Sequence, residues 1–259
     1  MKKILTIAGS DCSGGAGIQA DLKTITVHKQ YGMSVITAVT AQNTLGVVSV
    51  WECPVEIVSQ QLDCIFQDIT PDAVKIGMIP NHEIAHVVAK KLVQYHTRNL
   101  VIDPVMVSTS GKALMTQQTI QVCKQELFPL AKLVTPNLPE AEYLLDTEIT
   151  TRKEMEEAAE RLHHQFGSAI LLKGGHLDGD ADDLLYDRGY HWFHTNRINN
   201  PNNHGTGCTL SSAIACGLSE GIDLQNSIKK AKQYLTGTLS SKLNLGHGNG
   251  PLDHMYPIK

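Results

Sequence analysis

Strand-like and helix-like segments alternate over the first 175 residues, and this alternation restricts the fold more than any other feature of the sequence. Short apolar runs predict strands near residues 4–8, 34–43, 72–79, 99–107, 133–137 and 169–176. Between them, helices are predicted over residues 54–67, 83–95 and 152–166 and after residues 17 and 138. Parallel strands need long crossover connections, which helices commonly provide. The chain is therefore predicted to be an α/β protein, with helices on both faces of a parallel sheet.

The last third of the chain departs from this alternation. Residues 183–187 and 190–194 flank Arg188-Gly189 and predict a β-hairpin. A helix is predicted to begin near Cys208, a last helix covers residues 224–243, and residues 246–251 form a tail loop. No linker, repeat or low-complexity tract divides the sequence, so we predict one domain over residues 1–259.

Side chains that can bind a ligand recur where the predicted strands end. They are Gln42, Met78, Asp103, Asn137 and Lys173. Ligands of open parallel sheets bind outside the carboxyl ends of the strands, so these residues predict one shared site. The Gln42 amide can donate and accept, which suits the edge of a heteroaromatic ring. Asp103 is either a metal or phosphate ligand or a capping acid, and Lys173 is placed to reach a phosphate.

The segment Gly205-Thr206-Gly207-Cys208 opens an apolar, alanine-rich run that predicts a helix. Its two glycines allow a tight turn that brings N–H groups together. The first turn of the helix adds unpaired N–H donors and the positive end of the helix dipole, which together bind anions. The same field is expected to favour the thiolate of Cys208. Alternatively, the segment is a glycine-rich cap of a buried helix with Cys208 as a small core residue.

Residues 9–23 form a loop of small residues that leads into a helix. Its glycine spacing matches neither a Rossmann nor a P-loop motif, but its small side chains allow a ligand to approach the backbone. Asp21 in this segment is either an acid of the first helical turn or a ligand contact. Residues 108–112 are polar and flexible in composition, which is typical of a lid.

Composition excludes several classes of function. The formal net charge is −4 and the pI is about 6.3, which argues against binding nucleic acid or an anionic membrane. No apolar run approaches the ~20 residues of a membrane span. The six cysteines contain no C-x-x-C, and the twelve histidines form no zinc-type cluster. A soluble, reduced, cytoplasmic protein is expected.

Seven blocks of sequence carry a resemblance to a known family, and they occur in order over nearly the whole chain. They are residues 8–23, 37–44, 75–78, 103–106, 135–141, 173–176 and 204–209. The chain resembles the hydroxymethylpyrimidine/phosphomethylpyrimidine kinases of thiamine biosynthesis, a branch of the ribokinase superfamily. The resemblance implies a ribokinase-like, three-layer αβα sandwich with a mostly parallel central sheet. It also implies ATP-dependent phosphorylation of 4-amino-5-hydroxymethyl-2-methylpyrimidine to the monophosphate and then to the diphosphate.

The resemblance also implies roles for individual residues. The substrate-binding residues would be Gly9, Asp21, Gln42, Met78 and Val105, with Asp21 and Gln42 on the pyrimidine edge. Gly205, Thr206 and Gly207 would form the anion hole, with Cys208 as the base. Asp103, Asn137, Glu140, Lys173 and Thr206 would bind the phosphates of ATP. Asp103 and Glu140 would be the Mg²⁺ ligands, and a homodimer is implied as well.

One position differs from the wider superfamily, in which an aspartate takes the place of Cys208. A free cysteine has a reference pKa of about 8.5, so it would need the field of the helix terminus to act as a base. Phosphoryl transfer depends more on positioning and charge neutralisation than on the base, so a thiol remains compatible with it.

Three other functions stay open at the level of sequence. The first is a pyridoxal or pyridoxine kinase of the same fold, although the related pyridoxal kinases carry a lid cysteine that residues 107–111 lack. The second is a non-catalytic pyrimidine-binding protein, which would be expected to lose Cys208, Lys173 or the glycines first. The third is a cysteine hydrolase, which would need a histidine such as His204 oriented toward Cys208.

Overall fold

The computed structural model describes residues 1–107, 114–175, 180–241 and 243–258. Its described strands form one sheet in the order β3-β2-β1-β4-β5-β6-β7-β8-β9. The strands are β1 (Lys3–Asp11), β2 (Tyr31–Asn43), β3 (Gly46–Glu52), β4 (Ala73–Ile76), β5 (Leu100–Ile102), β6 (Leu133–Val134), β7 (Ala169–Leu172), β8 (Asp183–Tyr186) and β9 (Tyr190–Phe193). Strands β2, β1, β4, β5, β6 and β7 are parallel, whereas β3 and β8 pair antiparallel with their inner neighbours. The predicted mostly parallel sheet is confirmed.

Helices cover both faces of this sheet. They are α1 (Gly17–Val27), α2 (Val55–Asp68), α3 (His82–Gln94), α4 (Gln117–Val122), α5 (Leu138–Leu145), α6 (Arg152–Phe166), α7 (Thr206–Ser219) and α8 (Leu224–Ser240). Buried side chains from α2 to α6 pack in one core cluster with alternate strand residues such as Leu5 and Ile7. The other cluster joins Ile4 with α1, α7 and α8. The predicted three-layer αβα arrangement is thus confirmed; one domain over residues 1–259 stays a prediction.

Helix α6 begins and ends at the predicted residues because its ends carry strong local signals. Thr151 accepts a hydrogen bond from the N–H of Glu154, and the Glu154 carboxylate accepts from the N–H of Thr151, which is a capping box. Gly167 ends the helix with a φ of 74°, a left-handed conformation that glycine adopts without strain.

The structure corrects the sequence prediction in several places and leaves the segment 108–112 and His176 outside its description. Helix α4 was not predicted, and four inner strands end three to five residues before their predicted ends, at Ile76, Ile102, Val134 and Leu172. Strand β3 was missed: it pairs with β2 through a short hairpin connection, and most of its residues are at least partly exposed, so it lacks the apolar run of the inner strands. Helix α8 ends at Ser240 rather than at residue 243. The proposed lid at 108–112 and His176 lie outside the described residues.

Candidate functional site

A cavity of about 1090 Å³ opens at the carboxyl ends of the parallel strands, between them and the start of α7. Nearly all of the predicted site residues line it. They are Gly9, Gln42, Met78, Asp103, Val105, Asn137, Glu140, Lys173, Gly205, Thr206, Gly207 and Cys208. Because the topology places the carboxyl ends of neighbouring parallel strands at one edge, residues far apart in sequence meet here. Asp21 is the exception.

At the start of α7 the backbone of Gly205 lies close to the backbone of Gly15. Gly205 precedes the helix with a φ of 87°, and a Cβ at this position would overlap the carbonyl oxygen of Gly15. Within the described residues no side chain caps this helix. The first N–H groups of a helix lack partners inside it, and the helix dipole is positive there. The turn therefore forms the kind of anion site that its sequence predicts.

An ion pair faces this turn from the sheet. The Lys173 ammonium donates to Oδ1 of Asp103 over 2.7 Å, and Thr135 Oγ1 donates to the same oxygen over 3.2 Å. A Cβ on Gly207 would lie 2.8 Å from Oδ2 of Asp103 and 3.4 Å from Nζ of Lys173, so the helix start and the ion pair are in contact. Burial alone would lower the pKa of Lys173, but the carboxylates of Asp103 and Glu140 more than offset it and raise that pKa.

Asn137 and Glu140 have a structural role that the sequence analysis did not assign to them. Oδ1 of Asn137 accepts from the N–H of Glu140, and Oε2 of Glu140 accepts from the N–H of Asn137, both at 2.8 Å. This capping box starts α5. Burial raises the pKa of Glu140 to about 7; Lys173 opposes the shift and Asp103 adds to it. The ionised fraction of Glu140 therefore rises as the pH increases through neutrality.

The described residues contain no group of three or more histidine, cysteine or acidic side chains that would hold a metal ion by themselves. Asp103 and Glu140 nevertheless both line the cavity. Mg²⁺ is usually bound by one or two carboxylates together with substrate phosphates and water. These two side chains therefore fit a magnesium ion that enters with a nucleotide, rather than one held by protein alone.

Cys208 lies in the first turn of α7, but its burial contradicts the expectation that the helix terminus favours its thiolate. Burial raises the pKa of its thiol to about 11, although the nearby Lys75 ammonium lowers it. Asp21 and Asp103 raise it further. The field of a helix terminus stabilises an anion by only about 0.3–1 kcal/mol at most sites, and loss of hydration outweighs it here.

Asp21 does not line the cavity, so its contact with the substrate stays a prediction that this geometry does not support. Its side chain is fully buried, and it lies beyond the first turn of α1. Its carboxylate accepts from the Lys75 ammonium at 2.8 and 2.9 Å, from Thr6 Oγ1 at 2.5 Å and from Ser212 Oγ at 2.8 Å. With all these donors inside the protein, Asp21 has the role of a counter-ion between β1, β4 and α7.

Lys75 is a residue that the sequence analysis missed. It is fully buried in the middle of β4, on the face that carries α1 and α7. A lysine among apolar strand residues was the available signal, because a buried ammonium requires a carboxylate partner. Burial would lower the pKa of Lys75, but Asp21, Cys208 and Asp103 together raise it, so it remains charged beneath the cavity.

Asp11 and His204 were also missed as a pair. Nε2 of His204 lies 2.9 Å from Oδ2 of Asp11 and 3.3 Å from Nε2 of Gln42, and all three residues line the cavity. Asp11 ends β1, so the strand-end rule that selected Gln42 applied to it as well. A cysteine hydrolase would need the other ring nitrogen, Nδ1 of His204, to activate Cys208, and that interpretation stays a prediction.

None of the helices in the described parts of the chain combines the length and the apolarity that crossing a membrane requires.

Comparison with known sequences gives a consistent result. The family model for phosphomethylpyrimidine kinase matches residues 11–253. The chain is 49% identical to the thiamine biosynthesis bifunctional protein ThiED of Geobacter sulfurreducens, over 97% of this chain and 52% of that protein. It is 44% identical to the hydroxymethylpyrimidine/phosphomethylpyrimidine kinase of Streptomyces coelicolor, over 98% of this chain and 95% of that one. The chain thus spans about half of the Geobacter protein and nearly all of the Streptomyces protein.

Solved structures support the same fold. The phosphomethylpyrimidine kinase of Clostridium difficile 630 matches with a TM-score of 0.82 and 42% identity, over 91% of this chain and 98% of that one. An ADP complex of Bacillus subtilis pyridoxal kinase matches with a TM-score of 0.91 and 35% identity, over 100% and 99% of the two chains. These neighbours confirm the ribokinase-like fold that the sequence resemblance implied.

Proposed function

Since the chain belongs to the phosphomethylpyrimidine kinase family, we propose that it transfers the γ-phosphoryl group of ATP to 4-amino-5-hydroxymethyl-2-methylpyrimidine and then to the resulting monophosphate. One observation supports this most directly. The start of α7 and the Asp103–Lys173 pair share one cavity with Gln42 and Met78. An anion site thus opens into the same space as groups suited to a heteroaromatic ring.

We assign the substrate end of the cavity to Gly9, Gln42, Met78 and Val105. The Gln42 amide would hydrogen-bond the pyrimidine edge, and Met78 and Val105 would contact the ring. A Cβ on Gly9 would lie 3.1 Å from Sδ of Met78, so the absence of a side chain at residue 9 leaves room for that methionine. The hydroxymethyl group would then point toward Cys208.

We assign the phosphate end to the start of α7 together with Asp103, Asn137, Glu140 and Lys173. The N–H groups of Gly205, Thr206 and Gly207 and the Lys173 ammonium would stabilise the charge that develops on the transferred phosphoryl group. Asp103 and Glu140 would hold Mg²⁺, which neutralises phosphate charge when it is bound. Displacement of Lys173 from Asp103 toward a phosphate would release an Asp103 oxygen for the metal.

The function is tested by incubating the protein with Mg-ATP and one of three substrates: the hydroxymethylpyrimidine, its monophosphate, or pyridoxal. Mass spectrometry of the products is expected to show the pyrimidine diphosphate from both pyrimidines and little pyridoxal phosphate. Efficient pyridoxal phosphorylation without diphosphate would instead support the pyridoxal kinase alternative. No ADP with any substrate would favour a non-catalytic binding protein.

Cys208 is proposed as the base, and its replacement by alanine is expected to lower kcat by about 10²- to 10⁴-fold while ATP and pyrimidine still bind.

Because burial raises the pKa of the Cys208 thiol to about 11, the thiolate fraction grows as the pH rises. In the wild type, kcat/KM should therefore rise between about pH 7 and 9, and Cys208→Ala should lose that part of the rise. Cys216→Ala, in the same helix but outside the cavity, is the matched control. Unchanged turnover of Cys208→Ala would remove the thiol from the mechanism.

We also propose a homodimer located in the cytoplasm. The exposed apolar side chains of the β2–β3 hairpin, among them Leu45, Val48 and Trp51, are suited to burial against a second copy. Sedimentation equilibrium should give twice the chain mass, and Trp51→Glu should shift it toward the monomer.

A further inference from the structure

We propose that His204, held by Asp11, is a positioning residue that fixes which end of the Gln42 amide faces the substrate. The inference rests on the proposed function, because it assigns a specificity device to the same pyrimidine site. Its starting point is that one ring nitrogen, Nε2 of His204, lies between two groups: Oδ2 of Asp11 at 2.9 Å and Nε2 of Gln42 at 3.3 Å. The arrangement of protons in this contact decides what Gln42 presents to the cavity.

Asp11 is bound by many donors and accepts from each of them. Its Oδ1 accepts from the N–H and the hydroxyl of Ser13, and its Oδ2 accepts from the N–H groups of Gly15 and Ala16. Burial opposes ionisation, but hydrogen bonds from His204, Ser13 and Ala16 outweigh it and lower the pKa of Asp11 well below its usual range. Asp11 is therefore an anion at neutral pH, and a carboxylate can only accept.

The charge of Asp11 decides which ring nitrogen of His204 carries a hydrogen. Because Asp11 can only accept, Nε2 of His204 must carry a hydrogen and donate it to Asp11. A hydrogen bond to a charged group is roughly twice as strong as one between two neutral groups. The shorter contact to the carboxylate therefore prevails over any bond in which Nε2 accepts from Gln42.

The Gln42 amide must adapt to that proton. An amide nitrogen carries only donors, so facing the N–H of His204 it would set two donors against each other, whereas the amide oxygen can share that hydrogen with Oδ2 of Asp11. A half turn of the amide places the oxygen toward His204 and the NH₂ group toward the cavity. In this orientation Gln42 donates to the substrate, and it selects a ring with an unprotonated nitrogen at that edge.

The surroundings keep His204 in this position. Its side chain is 15% exposed and that of Asp11 only 3%. A Cβ on Gly15 would lie 3.3 Å from Nε2 of His204, so the ring packs directly on the small-residue loop. The N–H of His204 donates to the carbonyl of Gly250 in the C-terminal tail. His204 is therefore held by the small-residue loop through its ring and by the tail through its backbone, as a positioning residue requires.

The test compares how the wild type and its variants bind a set of substrate analogues. Calorimetry gives the Kd of each analogue, and steady-state kinetics gives its KM. The analogues replace each ring nitrogen of the hydroxymethylpyrimidine by CH in turn. In the wild type, one of them should bind about tenfold more weakly, which is the value of one ordinary hydrogen bond. Gln42→Ala should abolish this tenfold difference, and His204→Leu should reduce it to about twofold or less, because the amide is then free to turn.

Three controls separate positioning from a general structural effect. His204→Gln restores a donor toward Asp11 and is expected to recover the discrimination. His247→Phe alters an exposed histidine of the tail that lies outside the cavity, and it should behave as the wild type. The KM for ATP of His204→Leu should change little, whereas a moderate fall in Tm is expected, because the loop donors replace only part of the hydrogen bonding that Asp11 loses.

The outcomes are distinct. If His204→Leu weakens all the pyrimidines equally and keeps the tenfold discrimination, the histidine is only structural and the inference is wrong. If neither ring nitrogen contributes in the wild type, Gln42 does not donate to the ring and the inference is also wrong, even though the pyrimidine is phosphorylated. If the pyrimidine neither binds nor reacts, it is the proposed function that fails.

Discussion

Replacing Lys75 with methionine is expected to lower the free energy of unfolding by about 3–5 kcal/mol, because it leaves a buried carboxylate without its counter-charge. Lys75 and Asp21 are both fully inaccessible to solvent, and their closest N–O distance is 2.8 Å. Thr6 and Ser212 would still donate to Asp21, but two hydroxyl groups do not neutralise its charge. Urea unfolding followed by circular dichroism measures the loss.

A second variant shows whether the charge or the packing is responsible. In Lys75→Met/Asp21→Asn the buried carboxylate is also removed, so much of the lost stability should return. Lys90→Met, on the exposed side of α3, should stay within about 0.5 kcal/mol of the wild type. A loss below about 1 kcal/mol in Lys75→Met alone would contradict the view that this ion pair holds the sheet to α1 and α7.

The order of the strands explains why so much of the site was predictable. Once the alternation of strands and helices indicates a parallel sheet, the ends of successive strands must meet at one edge. Gln42, Asp103 and Lys173 come together for that reason, although they lie far apart in the sequence. Local capping signals likewise defined the ends of α6, because they act within a few residues of each other.

The missed pairings depend on contacts between distant residues, although Asp11 and Lys75 each carried a local signal of their own. His204 and Asp11 are 193 positions apart in the sequence, and the sequence around one of them does not indicate its contact with the other. The resemblance implied that Asp21 contacts the substrate, but its partner Lys75 lies 54 positions away on another strand, which the sequence around Asp21 does not indicate. The thiolate expectation for Cys208 considered the helix terminus and not burial, which depends on the complete fold.

Gly207→Ala is expected to lower kcat/KM for ATP by at least about 10²-fold without destabilising the protein, since a misplacement of about 1 Å can cost that much. Its Cβ would lie 2.8 Å from Oδ2 of Asp103 and 3.4 Å from Nζ of Lys173. The ion pair and the first turn of α7 would have to move apart, which disrupts the charge arrangement around the phosphate. The stability of the variant should not fall, because alanine is a better helix former than glycine by about 1 kcal/mol.

The expected effect is recognised by a loss of activity without a loss of stability. Steady-state kinetics should show the loss, while the Tm stays near or above that of the wild type. Gly189→Ala is the matched control, because a Cβ there meets no atom within 4 Å and the residue lies in the β8–β9 turn, away from the cavity. If Gly207→Ala kept normal turnover, direct contact between α7 and the Asp103–Lys173 pair would not be required for phosphoryl transfer, and the proposed arrangement of the phosphate end would be wrong.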